Sequence, residues 1–293
     1  MSAELGGSVA AVMLPADAHV HSEYSWDAGS DPASPGLMRR MCEHAIRIGL
    51  PAVVFSEHLD FETAWRVEVG DLGPHADALV DEDGYVQLPQ FDLDGYVDAV
   101  ERCRYEFPGI HILTGVEFGQ PHVWEAAGRA VLASGAITRV NGSLHVLPFE
   151  GDRSEPITLY RRRPAEEVMW AYLDEIPRMV AGSDSFEVFA HIDYAVRTWP
   201  VKTAGPFDPR VFEAGFRTAM RCLAESGRAL EMNTRRLWPW IPQWWAEEGG
   251  QAVTLGSDAH APEVLAGNFP EATAMLEHFG FRPGTRPQDY WSR

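Results

Sequence analysis

Two short motifs near opposite ends of this 293-residue chain carry metal-ligand side chains at alternate positions. Asp17-Ala18-His19-Val20-His21, followed by Asp27, lies near the amino terminus, and Gly256-Ser257-Asp258-Ala259-His260 ends an apolar run near the other. Alternate residues of a strand point the same way, so His19 and His21 can converge on one ion, as can Asp258 and His260. Neutral imidazole nitrogens and carboxylate oxygens are donors that a divalent transition metal takes, and strand ends are rigid enough to keep a coordination position open for water or substrate. A lone H-x-H is more often structural or accidental, so the weight rests on what the rest of the chain adds.

The elements that must position these residues alternate between short β-rich runs and amphipathic stretches, the pattern of repeated βα units around a parallel sheet. Seven strands are expected, over 16–21, 52–56, 110–116, 138–143, 187–190, 229–232 and 252–255. Helices are expected over 35–48, 93–107, 124–134, 164–181, 209–225, 241–248 and 271–279, with Pro35, Pro164 and Pro209 at or near starts and Asp208 as an N-cap. The acidic, Gly- and Pro-containing stretch 61–92 reads as an excursion over a barrel mouth within a single domain spanning 1–293. Each expected strand ends in polar residues: His19 and His21, then Glu57 and His58, Glu117, His145, His191 and Asp193, Glu231 and Asn233, and last Asp258 and His260. The carboxyl ends of all strands in a parallel barrel surround one mouth, so a single polynuclear site is the economical explanation. Glu117 sits in an apolar stretch, where an ionised carboxylate needs a partner, which favours a ligand role.

Composition excludes some alternatives. A formal charge of −19 argues against coating nucleic acid, which needs clustered Lys and Arg to neutralise phosphates. It leaves room for a small anionic substrate, because bound cations reverse the local field. Cys42, Cys103 and Cys222 are scattered without a CxxC pattern and read as reduced thiols. The first residues, Met1 to Leu14, make a poor signal peptide, and no apolar run reaches the length of a membrane span, so a cytoplasmic protein without a membrane partner is expected.

The ordered set D-x-H-x-H, S-E-H, G-V-E, S-L-H, A-H-I-D, E-x-N-T and G-S-D-A-H resembles the polymerase and histidinol phosphatase (PHP) superfamily, from Asp17 to His260. The Glu231-Met232-Asn233-Thr234 and Thr254–His260 segments look most like its histidinol-phosphate phosphatases, enzymes of histidine biosynthesis. The resemblance implies a distorted (β/α)7 TIM-like barrel with up to three divalent transition metal ions. Carried over residue by residue, one ion would take His19, His21, Glu117 and Asp258, a second Asp27, His58 and His260, and a third His145 and His191 with Glu117 bridging. Many members have histidine where this chain has Asp27; a carboxylate is harder and favours iron or manganese over zinc there.

The implied reaction is hydrolysis of a small phosphate ester, with L-histidinol phosphate as leading substrate. Cations roughly 3.5–4 Å apart can lower the pKa of a bridging water so that hydroxide attacks phosphorus in line. Charge on the equatorial oxygens then needs nearby cations, and guanidinium grips phosphate with two parallel donors. Arg197 and Arg235 lie just beyond site-bearing strand ends and are preferred; Arg161, Arg162 and Arg163 read as a solvated patch more than a clamp. Asp193 and His260 are both candidates for protonating the leaving alkoxide. Trp238, Trp240, Trp244 and Trp245 could wall a pocket for a flat group, though packing against the barrel is the simpler reading. Asp17 is expected either to terminate a loop or to hydrogen-bond around the ligands, and Ser56 and Glu57 to orient His58 or serve as plain loop residues. Two other readings stay open: a nucleotide phosphodiesterase or nuclease, and a non-catalytic metal-binding module.

Overall fold

The computed structural model describes residues 14–29, 36–73 and 76–293. Pro35, His75 and residues 1–13 fall outside them. The strands are β1 (Asp17–Val20), β2 (Ala52–Leu59), β3 (His111–Gly119), β4 (Arg139–Ser143), β5 (Leu147–Phe149), β6 (Asp152–Ser154), β7 (Val188–Phe189), β8 (Ala229–Asn233), β9 (Ala252–Gly256) and β10 (Trp291–Ser292). The helices are α1 (Trp26–Gly29), α2 (Leu37–Ile48), α3 (Leu93–Glu106), α4 (Pro121–Leu132), α5 (Pro156–Leu159) and α6 (Ala165–Gly182), then α7 (Tyr194–Arg197), α8 (Val201–Ala204), α9 (Glu213–Glu225), α10 (Trp240–Glu247) and α11 (Phe269–His278).

One sheet runs β1-β2-β3-β4-β7-β8-β9-β10, parallel throughout except for β10. The ring closes at the mouth, where the Asp258 N–H donates to the His19 carbonyl at 2.8 Å and the His21 N–H to the Ala259 carbonyl at 2.9 Å. At the other end of β9, β10 pairs with Val253 and Ala252, so the C-terminal segment fills part of the seam. The seven parallel strands form a distorted (β/α)7 TIM-like barrel, as expected. Helices cover the outside, and their apolar faces keep helical spacing: α9 buries Phe216, Ala219, Met220 and Leu223. All eight residues of β2 are buried, as strands covered on both faces should be, so polar Ser56, Glu57 and His58 at its carboxyl end are the exception that needs explaining.

Several boundaries move. β2 and β3 continue three residues past the expected ends because their pairing runs unbroken to Leu59↔Phe118. The helix expected at 124 starts at Pro121, after Gln120 turns at φ 47°. The helix expected over 209–225 divides into a 3₁₀ turn, capped by Asp208, and α9. The β5–β6 hairpin and β10 lack the length and periodicity to be read from sequence. The 61–92 excursion packs on that hairpin through a small core of Trp65, Val67, Val86 and Val146 and through pairing of Trp65 with Arg153. The arginine run after it is exposed, as a solvated patch would be, and is held by local pairs: Arg161 and Arg162 pair with Glu68, Arg161 also with Asp71, and Arg163 lies over Phe149. No helix among the described residues is long and apolar enough to cross a membrane.

Candidate metal centre

Parallel register places the donors level with one another. His58 is directly beside Glu117, and Glu117 beside Asn141, across β2, β3 and β4. His19 and His21 come from the end of β1, His145 and His191 from just past β4 and β7, and Asp258 and His260 from just past β9. His19 Nε2 and His21 Nε2 lie 3.0 Å apart, and Glu117 Oε2 is 3.1 and 3.3 Å from them. Asp258 Oδ1 approaches the same pair at 3.9 and 3.4 Å. On the neighbouring set, Asp27 Oδ2 is 2.7 Å from His260 Nε2 and 3.3 Å from His58 Nε2. The other oxygen of Glu117 faces a third set, with His145 Nε2 at 3.0 Å and His191 Nε2 at 2.6 Å. Glu117 therefore bridges two donor groups, one per oxygen; the compact sets are His19, His21 and Glu117, then Asp27, His58 and His260 with His21 also beside them, and Glu117, His145 and His191, while Asp258 stands at the edge of the first.

The donor chemistry fits a divalent ion. Donors about 2.0–2.2 Å from a tetrahedral ion sit roughly 3.3–3.6 Å from each other, which brackets the middle of the spacings above. The second ring nitrogens of His19, His21 and His260 are tied outward, which fixes their Nε2 lone pairs toward the centre. His19 Nδ1 meets Glu231 Oε2 at 2.6 Å, and Asn233 Nδ2 donates to the other Glu231 oxygen. His21 Nδ1 donates to Ser25 Oγ at 2.8 Å, which donates on to Glu57 Oε2 at 2.6 Å. Glu57 thus orients His21, which is neither of the two roles expected for it, orienting His58 or standing as a plain loop residue. His260 Nδ1 donates to the Asp258 carbonyl at 3.0 Å. Of the two roles open to Asp17, the structure shows the hydrogen-bonding one: it braces the last motif, accepting from the Ser257 N–H and hydroxyl and from the Ala266 N–H. His191 and Asp258 adopt positive φ, 25° and 56°, conformations tolerated where surrounding structure over-determines them.

Sequence reasoning missed Asp60. Its Oδ2 accepts from Trp26 Nε1 at 2.8 Å and lies 3.1 Å from His58 Nδ1, and Asp60 groups with His58 and His145 as a further donor set. Gly119 leaves it room, since a Cβ there would collide with Asp60 Oδ1. The signal was present in Ser56-x-His58-x-Asp60, an alternation like that of the first motif.

Electrostatics describe a cluster charged in compensation. Burial alone would lower the His19 imidazole, but Glu231 and Glu117 outweigh it and raise it well above its ordinary value. His58 is raised in the same way by Asp27 and Glu117 against its burial. His260, buried but facing Asp27, is pushed up to about 9. Against burial, Glu117 is held well below the usual carboxylate range by His19 and His145, and Asp258 by Arg197 and His21.

A cavity of about 330 Å³ opens on these groups, and its wall includes Trp26, Trp65, Tyr194, Arg197, Arg235 and Arg236. Arg197 Nη1 donates to Asp258 Oδ2 at 2.7 Å, while its buried Nη2 has no partner. The Arg235 backbone N–H is fixed by Asn233 Oδ1 and its side chain makes no ion pair among the described residues. Asp193, expected as a proton donor, is not part of this wall. It accepts from Trp238 Nε1 at 3.2 Å and lies 4.0 Å from Arg197 Nε, so it braces both. The tryptophans after β8 pack instead of walling the pocket: Trp240, Trp244 and Trp245 are buried in the core.

Fold and site together define a parallel barrel with a histidine–carboxylate centre, suited to divalent ions, at its carboxyl-end mouth. The family model for the PHP domain matches residues 17–235, and the chain belongs to that family. A histidinol-phosphatase of Lactococcus lactis is 26% identical over 90% of this chain and 91% of its own length. A protein of Deinococcus radiodurans named "Probable histidinol-phosphatase" is 24% identical over 92% of this chain and 95% of its own. Among solved structures, the L. lactis histidinol phosphate phosphatase, complexed with zinc, L-histidinol and phosphate, superposes with a TM-score of 0.71 at 22% identity, covering 95% of this chain and 97% of that one.

Proposed function

We propose that this protein is a metal-dependent phosphomonoesterase whose substrate is L-histidinol phosphate. The observation that carries the reading is the placement of Arg197, with an unpartnered Nη2, in the same cavity wall as Asp27, His58, Glu117, Asp258 and His260. The names of the L. lactis and D. radiodurans relatives support it. In this reading His19, His21, Glu117 and Asp258 hold one ion, Asp27, His58 and His260 a second, and His145 and His191 a third with Glu117 shared. Zinc, iron and manganese all suit this donor set, and the Asp27 carboxylate favours the harder two. When bound, such ions supply an acidified water and positive charge beside phosphate.

The chain's own residues do the positioning. Arg197 is anchored on Asp258 and backed by Asp193, so its free Nη2 donates to a phosphate oxygen from a fixed position, without reorganising during reaction. Arg235 reaches the phosphate from β8 as a second guanidinium. His260 serves as a ligand through Nε2, and that same nitrogen cannot then carry a transferable proton. The 61–92 excursion, through Trp65 and Leu72, helps exclude bulk water, which strengthens each of these interactions. The test is hydrolysis of L-histidinol phosphate, a nucleotide diester and a single-stranded oligonucleotide after metal reconstitution. Turnover of the monoester, lost in Asp258→Asn, is expected. Preferential cleavage of diester or oligonucleotide would overturn the reading, and equal metal content in Asp258→Asn would overturn its ligand role.

A further inference from the structure

Five carboxylates stand in the wall of the cavity: Asp27, Asp71, Glu117, Glu155 and Asp258. Four have cationic or imidazole partners: Asp27 faces His58 and His260, Glu117 faces the histidines, Asp258 takes Arg197, and Asp71 takes Arg161 at 2.5 Å. Glu155 forms no salt bridge with any described Arg, Lys or His, although it is only 7% exposed. It stands at the N-cap position of α5, yet its side chain makes no capping hydrogen bond. Its hydrogen-bond partner is the Tyr194 side chain, another part of the same wall, and the His145 imidazole acts on it through space without forming a salt bridge. Holding a tyrosine hydroxyl does not require a charge; glutamine would do so without the desolvation cost of a buried carboxylate. An acidic group kept buried without a salt bridge in a substrate-sized cavity points to a cationic ligand.

We propose that Glu155 binds a positively charged group on the alcohol part of the ester, an ammonium or protonated imidazole, and thereby selects cationic alcohol phosphates over neutral ones. This rests on the phosphomonoesterase reading and adds the residue that sets its specificity at the alcohol end. The phosphate end is held by guanidinium groups and the alcohol end by a carboxylate, so the site matches a dipolar substrate. Burial pushes the Glu155 carboxyl up to about 7, and an arriving cation favours its ionised form.

The decisive variant is Glu155→Gln in the metal-loaded enzyme, read as the ratio of kcat/KM for L-histidinol phosphate over phenyl phosphate. That ratio should fall by about tenfold to a hundredfold, the range of a hydrogen bond to a charged group, and mainly through KM. Tyr194→Phe, which keeps the charge and removes the hydroxyl, should retain the ratio. A parallel loss on both esters, or a Tyr194→Phe effect on the ratio as large as that of Glu155→Gln, would show that Glu155 only supports the fold and would overturn the proposal. Calorimetric titration with L-histidinol separates this from the activity. If neither ester is hydrolysed but L-histidinol binds the wild type more tightly than Glu155→Gln, the phosphomonoesterase reading falls and the subsite stands; equal affinities overturn the subsite.

Discussion

On the outer face, Arg217 reaches Glu213, Glu247 and Glu248, and Arg221 reaches Glu248, tying α9 to the end of α10 above the buried Trp240, Trp244 and Trp245. At the barrel mouth, Arg197 reaches Asp258 and leaves Nη2 unpaired, and Asp27 Oδ1, Asp60 Oδ1 and His191 Nδ1 are likewise buried without hydrogen-bond partners. Both regions are rich in charge, but the ion pairs of the first are satisfied and half-solvated, with the Trp240 indole N–H beneath them lacking a partner, whereas the second is buried and incomplete at several charged groups. Exposed pairs need nothing further and contribute little individually. Buried polar atoms without partners are costly, so their concentration at one end of the sheet marks where ligands complete the structure.

Replacing Glu117 with Gln should break the mouth most severely. The bridging charge shared by His19, His21, His145 and His191 is lost, and both activity and bound metal should fall beyond the roughly 10- to 100-fold typical of removing an orienting partner. Elemental analysis of the purified variant checks this, and full metal content would count against Glu117 as a bridge. On the opposite side of the comparison, Trp245→Ala removes a fully buried indole whose Nε1 donates to the Ala252 carbonyl. A stability loss of about 3–5 kcal/mol in urea denaturation is expected, with metal stoichiometry kept in the folded fraction. Coupled loss of metal would mean that the two regions are not independent.

Asp60→Asn sharpens the boundary of the centre. Metal affinity should weaken by about 10- to 100-fold if this carboxylate fixes His58, and the absorption of the cobalt-substituted protein should shift. An unaltered spectrum and affinity would confine Asp60 to anchoring Trp26. The smallest effect belongs to the α4–α6 contact, where His122 Nε2 is 2.9 Å from Glu175 Oε1. That hydrogen bond, with help from Arg178 and against burial, lowers the Glu175 pKa. A depressed folded value stabilises above the unfolded pKa of about 4.5 and is lost as pH falls through the folded one. Thermal melts of Glu175→Gln and wild type should therefore differ near neutrality, by about 1 kcal/mol or less, and converge in acid. A gap that widens in acid would reverse the sign and remove the contact as its cause.

The histidine motifs were legible because alternation within a strand is a local property, and the ends of parallel strands meet whatever lies between them. His19, His21, His58, Glu117, His145, His191, Asp258 and His260 needed only that rule and the family resemblance. Asp60 obeyed the same rule and was passed over because it follows the motif residue His58 instead of belonging to the motif. Glu155 had no such signal: it lies after a three-residue strand, before a proline, where a helix cap is the ordinary expectation.

Sequence alone determined the barrel's repeating order, the apolar faces of its helices and the ligand types at each strand end, since these depend on local periodicity and side-chain chemistry. Only the tertiary structure decided which partner each charge finds. It turned Glu57 toward Ser25 and His21, spent Arg161 on Glu68 and Asp71, moved Asp193 behind Arg197 and left Glu155 facing the cavity. Apart from Asp193 and Arg197, which lie four residues apart at one short helix, those pairings join residues from different elements, and packing distance, which no single segment encodes, selects among them.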